Sequence, residues 1–145
     1  MNKLEFTRPK NLIQLFDNIS LGDYHWYLYE TEIVVDDKDW RHDGKIDPSE
    51  LYDLLSNPQT LIIFLNLQAF EKHSPETRVY NRKEFISAQC VMTLLISDAY
   101  FTEVYVGPDT LFQTLLENAQ KCVRGSVNVV AENDDGRTRF CLWNA

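Results

Sequence analysis

Cysteine is scarce in this chain, and the three cysteines that occur, Cys90, Cys122 and Cys141, are far apart. They form no CxxC pair, and none lies near a histidine at the spacing of a metal site. This pattern argues against a disulfide framework and against a zinc site. An odd number of cysteines is typical of a reducing compartment. We therefore expect a cytoplasmic protein whose cysteines pack as small apolar side chains.

Long apolar runs are also lacking. The longest run covers residues 61–65, whereas a membrane-spanning helix needs about 20 apolar residues. The first residues, Met-Asn-Lys-Leu-Glu-Phe, contain no apolar core of the kind that secretory signal peptides carry. We expect neither a signal peptide nor an association with membranes.

Basic residues are fewer than acidic residues. The chain has 14 Lys and Arg against 22 Asp and Glu, which gives a formal net charge of −8. Nucleic acids and anionic membranes bind clusters of Lys and Arg, so the deficit argues against both as partners. A cation or a basic protein is an easier partner electrostatically, although a need for solubility alone also explains the charge.

The composition is that of a globular protein. The 145 residues are 44% apolar and 12% aromatic, and a chain of this length buries an adequate core without a disulfide or a metal. We predict a single domain over residues 1–145.

Hydrophobic periodicity and turn residues predict a mixture of strands and helices. Strands are predicted at residues 3–7, 24–35, 61–67, 91–97, 100–106, 127–132 and 137–143. Helices are predicted at residues 9–20, 48–56, 83–88 and 109–124, and a surface loop at 71–82. The dipeptide Asp98-Ala99 and the turn at 133–136 indicate two hairpins. The fold class is therefore α+β, a mixed and largely antiparallel sheet with about three to four helices packed on it.

Familiar catalytic motifs are missing. The sequence contains no GxSxG, GxxxxGK[ST], GxGxxG or HExxH, and the histidines His25, His42 and His73 belong to no metal or nucleophile motif. We predict no catalytic residue, and an enzyme is the less favoured class.

One segment has the spacing of a specific chemistry. Residues 39–50 align with a calcium-binding loop, with Asp39 at position 1, Asp43 at position 5, Gly44 at position 6 and Glu50 at position 12. The segment predicts Asp39, Asp43 and Glu50 as calcium ligands, and calcium is the only cofactor that the sequence indicates.

Three features oppose this calcium site, and one of them is that Lys38 and Lys45 reduce the local negative charge. Arg41 occupies position 3, where a ligand belongs, and the predicted strand before the loop replaces the entry helix. A second reading is a helix start with Asp47 as N-cap, Pro48 at the first helical position and Glu50 closing a capping box. The three carboxylates would converge on a cation only if Arg41 swings away.

Two further pairs of residues are candidates for contact with a partner. Tyr24 and Trp26 lie in an aromatic-rich strand, where they form either a binding surface or part of the core. Arg137 and Arg139 lie two residues apart in the last predicted strand, on one face of the sheet. They bind an anion or a partner, or they form ion pairs around a tight turn.

Several segments resemble a family of small uncharacterised proteins from Gram-positive bacteria, known only as a domain of unknown function (number 2691). The resemblance covers about two-thirds of the chain. Its segments are residues 24–27, 61–70, 80–90, 94–100, 117–119 and 132–139, with a continuation to Trp143. The resemblance implies a compact cytoplasmic bacterial protein and implies no activity.

The sequence favours a non-enzymatic binding protein, regulatory or immunity-like, that masks a basic protein partner. A weak calcium-binding module at residues 39–50 is one alternative. A small enzyme whose site is assembled from distant residues is another, and a deep pocket with convergent polar groups would favour it.

Overall fold

The computed structural model describes residues 1–74 and 77–143 of the chain. Its strands are β1 (Asn2–Thr7), β2 (Tyr24–Val35), β3 (Lys38–Trp40), β4 (Gly44–Ile46), β5 (Thr60–Glu71), β6 (Cys90–Ser97), β7 (Phe101–Val106) and β8 (Asn128–Val130). Its α-helices are α1 (Pro48–Ser56), α2 (Arg82–Ser87) and α3 (Asp109–Cys122). Short 3₁₀ helices cover Leu12–Phe16, Leu21–Asp23 and Glu132–Asp134.

The strands form one antiparallel sheet. Their order is β3-β2-β5-β6-β7-β1-β8, and β4 also pairs with β2. Every strand pairing within residues 1–74 and 77–143 is antiparallel. The α+β fold class is confirmed, and the described residues contain three α-helices, within the range that the sequence predicts.

The first face of the sheet carries the larger core. Alternate residues of the strands point to it, because side chains in a strand have a period of two. Helices α1 and α3 cover this face with the apolar stripes that their sequences predict. The fully buried members of this core include Leu4, Leu15, Leu28, Leu51, Leu65, Leu67, Leu94, Val104 and Leu115.

The second face carries a smaller apolar cluster. It contains Tyr27, Phe70, Val79, Phe85, Cys90, Leu95, Tyr105 and Phe140. Helix α2 contributes Phe85 to this cluster, and the side chain of Asn81 caps that helix by accepting from the Glu84 N–H at 2.8 Å. Val79 lies before this helix and adds to the cover, and the remainder comes from residues 135–143, which we call the C-terminal strap.

The hairpin predicted at residues 133–136 is wrong. Residues 128–130 do form a strand, but a 3₁₀ helix follows, and residues 137–143 lie across the second face without forming a strand. The Asp135 side chain accepts a hydrogen bond from the Arg137 N–H at 3.0 Å. The Arg137 guanidinium donates to the carbonyls of Arg139 and Cys141 at 3.0 and 2.8 Å. Side-chain hydrogen bonds thus replace the ladder that a second strand would form.

The helix predicted at residues 9–20 is also wrong, because only a 3₁₀ helix at Leu12–Phe16 forms there. Asn118 of α3 donates to the carbonyls of Leu15 and Asp17 at 2.9 and 2.7 Å. An α-helix that ran to residue 20 would bond the Leu15 carbonyl internally. Asn18 also adopts a φ of 63°, which no α-helix tolerates in its interior.

The loop predicted at residues 71–82 is shorter and less exposed than expected. Strand β5 extends to Glu71, and α2 begins at Arg82. Val79 is fully buried, and the Gln68 side chain accepts from its N–H and donates to its carbonyl at 2.9 and 2.8 Å. Residues 75 and 76 of this loop lie outside the described residues.

Replacing Phe140 by alanine should lower the free energy of unfolding by about 3–5 kcal/mol, because large-to-small changes in a packed core leave a cavity. The Phe140 ring is 1% exposed and lies 4.2 Å from the Tyr105 ring centroid. Urea unfolding at neutral pH measures the change. Phe101→Ala is the control, since Phe101 is 43% exposed and should lose less than about 1 kcal/mol. Equal losses in the two variants would show that the strap is not part of the core.

Candidate binding groove

An open groove of about 840 Å³ lies beside β2. We call it the β2 groove. Four carboxylates line it, Glu30, Glu32, Asp39 and Asp43. Its lining also holds two arginines and the rings of Trp40, His42 and Trp143. Four acids against two arginines give the lining a formal charge of −2.

A β-bulge in β2 forms one wall of the groove. Tyr29 lies opposite Asn66 and Glu32 opposite Phe64, so two residues of β2 face one residue of β5. Glu30, the first residue of the bulge, has a φ of 51°. A side chain in this left-handed region costs of order 1–3 kcal/mol, so its contacts must compensate.

The Glu30 carboxylate binds the end of the C-terminal strap. Its side chain is 8% exposed. It accepts from the main-chain N–H of Leu142 at 3.0 Å and of Trp143 at 2.7 Å. The Asn66 side chain donates to it at 2.9 Å, and the Arg78 guanidinium pairs with it at 3.1 Å. Hydrogen bonds to an ionised acceptor are the strong ones, so this carboxylate fixes four groups at once.

Arg78 is held in the groove wall as a planar cation. Its guanidinium carbon lies 4.5 Å from the ring centroid of Tyr29 and 4.6 Å from that of Tyr80. Both distances are within the range of cation–π attraction. Burial raises the pKa of the Tyr29 hydroxyl, while the Arg78 charge acts in the opposite direction.

The outer part of the groove is exposed and acidic. Arg41 lies 3.9 Å from Asp39, and both side chains are largely exposed, at 90% and 77%. An exposed pair of this kind contributes little to stability. The Trp40 and His42 rings stack at 5.8 Å on this side, and the Trp143 ring packs edge-on against Phe64 on the other.

A second polar cluster lies on the same sheet face, beneath the start of the strap. Lys3 is 3% exposed and pairs with Glu103 at 2.9 Å and with Asp135. Arg137 binds Glu103 at 2.7 Å. Arg82 and the Tyr105 hydroxyl both reach the second oxygen of Asp135, at 2.9 and 2.6 Å. Each buried charge thus has an opposite charge in contact, as buried ions require.

The pKa values in this cluster favour its charged form. Burial acts to raise the pKa of Asp135, but hydrogen bonds from Lys3 and Tyr105 outweigh it and hold that pKa below its usual value. Burial acts to lower the pKa of Lys3, yet hydrogen bonds with Asp135 and Glu103 raise it overall. Burial, together with the bond to Asp135, raises the pKa of the Tyr105 hydroxyl. The cluster is therefore an ion network at neutral pH.

The structure does not bring together the three predicted calcium ligands. Asp39 lies in β3, Asp43 in the connection to β4, and Glu50 in α1. Residues 44–46, the middle of the expected loop, instead form a strand on β2. Within residues 1–74 and 77–143, no group of three or more His, Cys, Asp and Glu side chains is placed to hold a metal ion. Calcium binding stays a prediction without a geometry to support it.

The second reading of this segment is correct in part. Helix α1 begins at Pro48 with Asp47 at the N-cap position, as predicted. The Asp47 side chain makes no capping hydrogen bond, so that half of the capping box does not form. The fixed φ of proline at the first helical position still favours a start at this residue.

The structure places the four predicted contact residues in different surroundings. Trp26 is 2% exposed, and its indole N–H donates to the Leu21 carbonyl at 2.7 Å, so it belongs to the core. Tyr24 is half-buried and packs edge-on against Trp26. Arg137 is bound to Glu103, whereas Arg139 is exposed. The two arginines do not share a sheet face, because residues 137–143 form no strand.

Sequence reasoning missed the residues that hold the site together. Lys3, Glu103 and Asp135 belong to no motif, and Glu30 and Glu32 are alternate residues of one predicted strand. A charged residue inside an apolar strand was the available signal for Lys3 and Glu103. No local signal revealed the bulge that separates Glu30 from Glu32.

Comparison with known proteins places the chain in a family. Residues 3–141 match the family model described as "Protein of unknown function (DUF2691)". The chain belongs to this family. The uncharacterised protein YncE of Bacillus subtilis (strain 168) is 24% identical over 137 residues, which cover 90% of both chains. No solved structure matches the chain.

These matches confirm the resemblance seen in the sequence, and the Bacillus relative is consistent with a bacterial origin. Neither the family description nor the relative's name states an activity. Among the described residues, no helix is long and apolar enough to cross a membrane.

Asp135→Asn should destabilise the protein by about 3–5 kcal/mol at pH 7, because it leaves the buried Lys3 and the partly buried Arg82 with less charge compensation. The pKa of Asp135 is lowered by folding, so its contribution is complete above the usual carboxyl pKa of about 4 and is lost as the pH falls through the folded value. The difference between wild type and variant should therefore narrow at acid pH. Urea unfolding across this range measures it, and a constant difference would contradict the ion network.

Calcium at about 10 mM should leave the unfolding temperature unchanged, because Asp39, Asp43 and Glu50 lie on separate elements. A site present at 100 times its dissociation constant would instead stabilise the fold by about 2.7 kcal/mol. Differential scanning fluorimetry with calcium, and with magnesium as the ionic control, makes the comparison. A shift specific to calcium would restore the site.

Proposed function

We propose that this protein is a non-enzymatic binding protein that holds a basic segment of a partner protein in the β2 groove. The observation that supports it most is the combination of acidic and aromatic side chains around one open cavity of about 840 Å³. In this proposal the protein acts in the cytoplasm as a regulatory or immunity-like factor, and it binds neither nucleic acid nor membranes.

The charges of the groove favour a cationic ligand. Glu30 and Arg78 compensate each other at 3.1 Å, and Asp39 is weakly paired with Arg41. The remaining lining carboxylates, Glu32 and Asp43, are exposed. The chain's net charge of −8 adds a long-range attraction that raises the rate of encounter with a basic partner.

The aromatic rings favour the same ligand. Trp40 and Trp143 line the groove, and Lys and Arg side chains bind over the faces of such rings. The chain itself provides an example, because Arg78 lies between two tyrosine rings in the groove wall. A basic side chain of the partner would meet a similar combination in the groove, where the Trp40 ring lies close in sequence to the carboxylate of Asp43.

The groove is better suited to binding than to covalent chemistry. Its lining among the described residues includes no serine, cysteine or lysine, and the hydroxyl of its threonine, Thr31, donates to the His42 carbonyl at 3.2 Å. Cys90, the cysteine with the most strongly shifted pKa, is buried on the second sheet face, and burial raises the pKa of its thiol to about 12. A thiol of this kind is not a nucleophile at neutral pH.

The test is the binding of a fluorescent hexa-arginine peptide, followed by anisotropy at about 0.05 and 0.5 M salt. The groove variant is Glu32→Gln/Asp39→Asn/Asp43→Asn. We expect its dissociation constant to rise about tenfold, since each exposed charge contributes about 0.2–1 kcal/mol. Wild-type binding should weaken at the higher salt concentration, because the charges are exposed.

A matched control separates the groove from the overall charge. The control variant removes the same number of exposed acids elsewhere, Asp17→Asn/Asp53→Asn/Glu117→Gln. It should bind nearly as tightly as wild type. If both variants lose the same affinity, attraction is diffuse and the groove is not the binding site. Failure of the wild type to bind the peptide would contradict the proposed function itself.

A further inference from the structure

The end of the C-terminal strap forms part of the groove. Trp143 lines the cavity, and its position is set by main-chain hydrogen bonds to Glu30. The same carboxylate pairs with Arg78, which lines the cavity from another segment. Two walls of the groove therefore depend on one side chain that lies mostly out of solvent.

The backbone of Glu30 is specialised for this contact. It is a non-glycine residue with a φ of 51°, and it begins the bulge in β2. In a regular strand, Glu30 and Glu32 would point to the same face. The bulge instead directs Glu30 beneath the strap while Glu32 stays exposed. A strained residue held in place by four partners is a mark of a site that must be pre-organised.

We propose that Glu30 is a positioning residue that assembles the β2 groove by docking the end of the C-terminal strap and Arg78. This inference rests on the proposed function, because it assigns Glu30 a role in that same groove. Glu30 acts through Trp143 and Arg78, and the ligand's charge is met by the exposed carboxylates Glu32 and Asp43.

Glutamine at position 30 tests the role without changing the size of the side chain. Both carboxylate oxygens of Glu30 accept N–H groups, the first from Asn66 and Leu142 and the second from Leu142 and Trp143. An amide has one acceptor oxygen and an NH₂ donor. In Glu30→Gln, the NH₂ group of the amide therefore replaces one oxygen and faces N–H groups that also donate. Glu117→Gln, on the exposed face of α3, is the control for the loss of charge.

Amide hydrogen exchange by NMR reads the docking directly and needs no ligand. In Glu30→Gln the amides of Leu142 and Trp143 should exchange at least about tenfold faster, since they lose a charged acceptor. The Phe140 amide, which donates to the Tyr80 carbonyl at 2.8 Å, is an internal control and should stay protected. Unchanged exchange at 142 and 143 would overturn the inference whether or not the wild type binds the peptide.

The dissociation rate of the hexa-arginine peptide measures how the loss of the Glu30 carboxylate affects binding in the groove. Glu30→Gln should release the peptide about tenfold faster while keeping the wild-type dependence on salt, because a buried positioning group affects dissociation more than encounter. Glu32→Gln should reduce the dependence on salt instead. A Glu30→Gln protein whose release rate equals that of the wild type would overturn the inference, as would one that changed only the dependence on salt.

A second variant keeps the inference testable if Glu30→Gln does not fold. Trp143→Ala preserves the Glu30 charge and removes a side chain that is 44% exposed, so the core is retained. It should speed release of the peptide by a similar factor. Release at the wild-type rate would show that the strap's end is not a wall of the site. A wild type that fails to bind the peptide contradicts the proposed function, and the exchange measurement then still decides the role of Glu30.

Discussion

The fold depends on how the second face of its sheet is covered. The C-terminal strap lies over apolar side chains but forms no strand, so its main-chain groups need partners outside a ladder. Side chains supply most of them. Glu30 accepts from the amides of residues 142 and 143, Asn66 donates to the Phe140 carbonyl, and Arg137 donates to the Cys141 carbonyl. These hydrogen bonds allow Phe140 to be fully buried against Tyr105.

The buried charges follow from the same requirement. Lys3, Glu103 and Asp135 are each at least 95% buried, and such ions are tolerated only when paired and hydrogen-bonded. An apolar replacement of the whole set would be about as stable. Asp135 binds Lys3, Arg82 and the Tyr105 hydroxyl at the same time, which fixes its position over the sheet. The start of the strap is therefore located by charge, and its middle by the packing of Phe140.

The sequence was sufficient for the elements whose pattern is local. Strand β2, helix α1 and helix α3 follow from period-two and helical patterns, and the β6–β7 hairpin follows from Asp98-Ala99, both of which have positive φ. The C-terminal hairpin failed because the side chain of Asp135 turns inward to Lys3, a residue 132 positions away. The α-helix predicted at residues 9–20 does not form, because the Asn118 side chain donates hydrogen bonds to the carbonyls of Leu15 and Asp17. Hydrophobic periodicity and turn residues are local features of the sequence, so they do not predict contacts between residues this far apart in the chain.

The calcium-loop spacing shows the opposite error, because a local pattern suggests a site that the strand pairing does not form. Residues 38–40 and 44–46 both form strands against β2, which leaves Asp39 and Asp43 at the groove and Glu50 outside its lining. Glu30 and Glu32 are alternate residues of one strand, yet Glu30, at the bulge, is buried beneath the strap whereas Glu32 is exposed. The bulge thus accompanies the contact of Glu30 with the strap on the second face, and an acidic surface lies beside that contact. In the proposed function these charges need little rearrangement on binding, since Glu32 and Asp39 both lie on paired strands.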